Sequence, residues 1–224
     1  MTKNLSKKLL GTVAALSLVG LTAEQSQAAT IIELSDGITT VTVADGSLGD
    51  LSATPGVVVF SGAVGVFDVN VTTGLSYPLL GSLTEPRLDL NSVNVSSGGT
   101  GTLTVKLTTT DFLGPATGVA TLDTGGTTNG SITVTSYVDS SNAPFGTTDT
   151  TGVLGVYTDG PFSGSTFSGT SVTAPYSASI IATIVHDDPS DVTSFDAEYN
   201  IVPEPASAAL LGLGVLALAR RRRG

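Results

Sequence analysis

Between Thr30 and Val202 apolar residues recur at every second position in short runs, and no stretch sustains the 3.6-residue stripe of an amphipathic helix. Thr102 to Thr108 is the clearest run. Leu103, Val105 and Leu107 fall on one face, and Thr104, Lys106 and Thr108 fall on the other. Ser194 to Ile201 repeats the pattern, with Phe195, Ala197, Tyr199 and Ile201 facing Ser194, Asp196, Glu198 and Asn200. One face of such a strand is buried and the other wet, which is how antiparallel sheets are built. Glycine, proline, asparagine and aspartate punctuate the runs, so the expected fold is all-β: an antiparallel β-sandwich, jelly-roll-like.

In order, strands are expected over Ile38–Val43, over Val57–Val66 with a bulge at Gly62, and on through Phe67–Thr72. Arg87–Val95 is expected to form a hairpin with Thr102–Thr108 through the turn Ser96–Gly101. A bulge is expected at Asn91-Ser92, where the alternation slips by one residue. Gly118–Leu122 and Ser131–Val138 follow, joined through Asp123–Gly126. Val153–Tyr157 and Thr166–Thr173 flank a turn at Gly160-Pro161, after a loop over Asn142–Thr151. Ala178–Val185 and Ser194–Ile201 close the domain, and the last strand runs into Val202 without a linker.

The two ends are of another kind. Lys3, Lys7 and Lys8 precede the apolar segment Leu9–Leu21, and Ser26-Gln27-Ala28 places small residues at the −3 and −1 positions of a cut. Residues 1–28 are thus expected to be a secretory signal peptide, cleaved after Ala28. At the other end Pro203 and Pro205 bracket Glu204, and no helix continues back through them. Pro205 suits the first turn of a following helix, with Glu204 near the positive end of its dipole. Ala206–Ala219 carries no charge. As a helix its length is ~21 Å against a hydrocarbon core of about 30 Å, a short transmembrane span that snorkelling arginines and local thinning accommodate. Arg220, Arg221, Arg222 and Arg223 then hold the end on the cytoplasmic side. The expected layout is a signal peptide (1–28), a β-sandwich body (29–201) and a tail with a single transmembrane helix (202–224).

Pro203-Glu204-Pro205, the Leu/Gly/Ala segment and the arginine cluster, in that order, resemble the PEP-CTERM sorting signal of Gram-negative bacteria. The resemblance implies an inner-membrane-anchored precursor, cut near Pro203–Pro205 by an exosortase, a membrane-embedded cysteine transpeptidase-like enzyme. The body then goes to the cell surface or the extracellular polysaccharide of a biofilm matrix. It covers about a tenth of the chain and implies routing rather than an activity.

Charge narrows the body's chemistry. Of 19 acidic residues only Glu24 and Glu204 lie in the end segments, and of 9 basic residues only Arg87 and Lys106 lie in the body, which is therefore near −15. Such a surface repels phosphate backbones, so nucleic acid is not a partner. It favours solubility and attracts divalent cations. With no cysteine, thiol catalysis, thiolate metal sites and disulfides are excluded. The single histidine, His186, lies in Val-His-Asp-Asp-Pro-Ser-Asp, where Asp187, Asp188 and Asp191 are the candidate ligands for Ca²⁺. The regular Ca²⁺-loop spacing is absent, and a solvated turn between the last two strands accounts for the same residues. No serine sits in a Gly-x-Ser-x-Gly elbow for a catalytic set with His186.

No catalytic residue and no bound cofactor are therefore expected. The leading expectation is an exported structural or adhesive protein of the surface matrix. The alternative is a secreted carbohydrate-binding or carbohydrate-active protein, with Ca²⁺ as an optional aid, working through carboxylates and an exposed tyrosine among Tyr137, Tyr157 and Tyr176. A permanently anchored, unprocessed domain is the third.

Overall fold

The computed structural model describes residues 28–204, so the expected signal peptide, all but its last residue Ala28, and the expected transmembrane helix lie outside the described residues. Among these, no helix is long and apolar enough to cross a membrane. Ten strands follow one another: β1 (Thr30–Ser35), β2 (Thr40–Ala44), β3 (Val57–Val64), β4 (Phe67–Leu75), β5 (Arg87–Ser97), β6 (Gly101–Phe112), β7 (Thr117–Asp139), β8 (Asp149–Ser171), β9 (Tyr176–His186) and β10 (Val192–Pro203). Every pairing is antiparallel.

The architecture turns on a fork in β7. Its first half, Gly118–Thr128, pairs with β10, and its second half, Ser131–Asp139, pairs with β9. From the fork one branch runs β9-β6-β1-β2 and the other β10-β5-β4-β3, while β8 follows β7 along both halves. The branches face each other across one core. A Cβ built on Gly74 of β4 would sit 2.6 Å from Leu107 of β6 and 3.0 Å from Ile32 of β1, so the facing sheets touch there. Thr151 of β8 donates a 2.9 Å hydrogen bond across the same space to the hydroxyl of Tyr199 in β10, and Ser136 joins Thr151 at 2.9 Å. That network satisfies polar groups which would be costly to bury alone.

The period-two reading holds where it is cleanest. Leu103, Val105, Leu107, Phe195, Ala197, Tyr199 and Ile201 are all buried. The bulge at Asn91-Ser92 is present: Leu90 opposes Ala197 and Val93 opposes Phe195, leaving two residues of β5 against Asp196 alone. Ser92 takes a φ of 55° there. The register also slips between Phe60 and Gly62, but the bulge expected at that glycine lies on the partner strand: Phe60 opposes Thr72 and Gly62 opposes Val69, so residues 70 and 71 of β4 stand against Ser61 alone.

Several expectations are corrected. A strand, β1, precedes the one at which the series was expected to open, and Ile38 is exposed in the turn before β2. Phe67–Leu75 does not continue β3. Gly65, at φ 58°, lets the chain reverse so that Val64 opposes Phe67. β5 and β6 form no hairpin, since β5 pairs with β4 and β10 while β6 pairs with β1 and β9. Their connection crosses from one sheet to the other. Asp123–Gly126 and Gly160-Pro161 are not turns but lie inside β7 and β8. Thr108 is buried rather than wet. The 140–148 loop covers it: Phe145 N–H donates to Thr108 Oγ1 at 3.2 Å, and Ser177 Oγ donates to the Ala143 carbonyl at 2.7 Å.

Candidate functional site

The first place of interest is the junction with the tail. β10 stays in register with β7 through Val202, opposite Val119, and Pro203, opposite Gly118. Ile201 is buried and its N–H donates to the Pro86 carbonyl at 3.1 Å, whereas Val202, Pro203 and Glu204 are exposed. Pro203 tolerates the last position of the strand because it has no N–H to place. Glu204 is the first residue past the strand, and Pro205 and Arg220–Arg223 lie outside the described residues. At the opposite end, Ala28 precedes β1 by two residues. The N–H of Ala29 donates to Thr110 Oγ1 at 3.3 Å, and its carbonyl accepts from Thr110 N–H at 3.3 Å.

The second is the loop after β9. His186 is buried at the fork, with Nδ1 2.9 Å from Ser97 Oγ and Nε2 2.9 Å from Thr193 Oγ1, and the ring of Phe67 packs 5.6 Å away. Thr193 in turn bonds Thr128 of β7 at 2.7 Å. Burial lowers the imidazole pKa, against a smaller upward pull from Asp191 and Asp187. The ring is a polar rivet among β5, β7, β9 and β10. Asp191 Oδ2 accepts the backbone N–H groups of Asp187 and Asp188, both at 3.0 Å, so its carboxylate closes the turn. Asp187 and Asp188 are exposed. Among the described residues no group of three or more His, Asp or Glu side chains is placed to hold a metal ion.

The third is a shallow cleft of about 390 Å³ on the outer face of the β10 branch, lined by Asp89, Asn91, Asp123, Thr124, Asp196 and Glu198. Register builds it. Asp89 of β5, Glu198 of β10 and Asp123 of β7 stand in one row, because Glu198 opposes both of the others. Like charges placed opposite one another oppose folding. Burial raises the Asp89 pKa, and the Glu198 and Asp196 carboxylates raise it further, against Asn91 and Arg87. Arg87 pairs with Glu198, and Asp196 Oδ1 accepts the Ser92 N–H of the bulge at 2.6 Å. Phe167 of β8 opposes Thr121, one same-face position from Asp123, and is 77% exposed.

Of the tyrosines expected to mark such a site, Tyr176 is fully buried and donates to the Gly114 carbonyl at 2.8 Å. Tyr157 stacks on Phe162 at 4.8 Å against the core, and Tyr137 is half-buried in β7. Phe167 is the aromatic beside the carboxylates. The alternation of β10 places Asp196 and Glu198 on the wet face. The reading of Asp123 as a turn residue hides the rest of the row.

Residues 202–223 match the model of the PEP-CTERM protein-sorting motif, and the chain carries that motif. No curated protein matches the chain. Among solved structures, that of TmCBM61 in complex with beta-1,4-galactotriose aligns at 11% identity over 64% of this chain and 92% of that one. Its TM-score is 0.35, too low for any inference from it.

Proposed function

We propose that this chain is the precursor of an exported structural or adhesive protein, whose β-sandwich body is delivered to the cell surface or its polysaccharide matrix. The signal peptide leaves after Ala28, the apolar tail holds the precursor in the inner membrane, and an exosortase-type enzyme releases the body near Pro203–Pro205. One observation carries this reading: the sorting motif begins on the last paired residues of β10, so sorting signal and folded body meet without a spacer. The non-catalytic part is supported by His186, the one histidine, whose ring nitrogens are both engaged by buried hydroxyls. Intact mass spectrometry of the protein recovered from the native host's surface tests the routing. The expected species starts at Ala29 and ends near Pro203–Pro205; a species still carrying Arg220–Arg223 refutes processing.

A second reading, carbohydrate binding, is favoured by the cleft. Its carboxylates and Asn91 offer acceptors and donors to sugar hydroxyls, and Phe167 offers an apolar face beside them. Binding to oligosaccharides, measured by calorimetry, should be lost in Phe167→Ala and in Asp123→Asn. Equal binding by wild type and both variants places recognition elsewhere.

A further inference from the structure

We infer that the outer edge of β8 is a self-association surface, on which a second copy of this chain pairs strand to strand. β8 has 23 residues and pairs backbone to backbone with β7 alone, so its far side is an unpaired sheet edge. The other two edges differ. β2 has only 5 residues. β3 is closed in its middle by the preceding loop: Val59 N–H donates to Asp50 Oδ1 at 2.9 Å, and the Val59 carbonyl accepts from Leu51 N–H at 3.0 Å.

Soluble proteins keep long edges from pairing with charges, proline, bulges or brevity. β8 has Asp149 and Asp159 in its first half and Pro161 just beyond, but Gly160 to Ser171 contains no charged residue. On a body near −15 this is where a second, equally acidic copy approaches without setting carboxylate against carboxylate. Three of the exposed large apolar side chains, Val153, Val156 and Phe167, also lie on β8. An antiparallel edge is complementary to itself about a two-fold axis, so identical copies close into a dimer and not an open fibre. Pairing through Gly160–Ser171 joins the β10 branches of the two copies, six strands from each, into one continuous sheet.

The chain has no cysteine, which makes the test direct. Ser163 and Ser165 are exposed on β8, and Thr42 is exposed on the edge strand β2. The full chain in mild detergent, carrying Ser163→Cys or Ser165→Cys, should form a disulfide-linked dimer on oxidation, whereas Thr42→Cys should not. In sedimentation the wild type should shift from monomer to dimer as its concentration rises. The double variant Ser163→Asp/Ser165→Asp should stay monomeric with an unchanged circular dichroism spectrum. A wild type that is monomeric throughout overturns the inference. So does cross-linking that is equal at Thr42→Cys, or a dimer that survives both aspartates.

Discussion

His186 shows how much a single side chain can carry in this fold. Its two ring nitrogens tie Ser97 at the end of β5 to Thr193 of β10, at the point where the sheet divides. The neutral ring satisfies both hydroxyls, and burial holds its pKa down. The sign of the pH dependence follows. An unfolded histidine takes up a proton below about pH 6.5, while the buried one resists it, so its contribution is whole above that value and is lost as pH falls below it. The melting temperature should drop on acidification from about pH 7 to about pH 5, and His186→Asn should flatten that slope while lowering the starting value. A slope unchanged by the substitution would remove His186 as its origin. Asp89 titrates with the opposite sign. Its pKa is raised, so the folded state is penalised above it and relieved as pH falls through it into the carboxylate range. The sequence shows a lone histidine before three aspartates. It shows neither the hydroxyls at Ser97 and Thr193 nor the carboxylate row, because those contacts join strands far apart in the chain.

At the scale of elements, glycine changes its meaning. Gly125-Gly126 and Gly160-Pro161 look like turns, yet each lies within a 23-residue strand. Gly126 and Gly130 serve close approach instead: a Cβ on Gly126 would lie 2.2 Å from the Ser194 carbonyl oxygen, and one on Gly130 would lie 2.1 Å from that of Val185. These two glycines let β10 and β9 abut β7 on either side of the fork. Gly130→Ala should therefore destabilise the body by about 1–3 kcal/mol, since backbone and not a flexible side chain must yield. Chemical denaturation measures it, with Gly169→Ala, which meets nothing within 4 Å, as the near-neutral control. Most of the strands, and the facing of the clearest ones, were legible because they depend on period two alone; β1 and the burial of Thr108 under the 140–148 loop were not. The partner of each strand was not. Arg87–Val95 and Thr102–Thr108 have the pattern of a hairpin, and equally that of strands which pass to opposite sheets.

For the molecule as a whole, charge and topology pull in different directions. The body's two basic residues are both committed to ion pairs, Arg87 with Glu198 and Lys106 with Glu33, the latter at 2.8 Å. The remaining carboxylates repel, most directly along Asp89, Glu198 and Asp123. Raising salt from about 10 mM to about 150 mM shortens the screening length from about 30 Å to about 8 Å and should raise the melting temperature. A fall would mean that the two ion pairs outweigh the repulsion. The sequence by itself determined the class of fold, the inward residues of its clearest strands, the acidity of the body and the sorting motif at 202–223. Each of those depends on neighbours in the chain or on summed composition. Only the tertiary structure decided that β7 forks, that β8 is left as a long edge, that Asp89, Asp123 and Glu198 share a row, and that the motif starts while β10 is still paired. Those facts depend on register between distant segments, and a period of two is compatible with many registers.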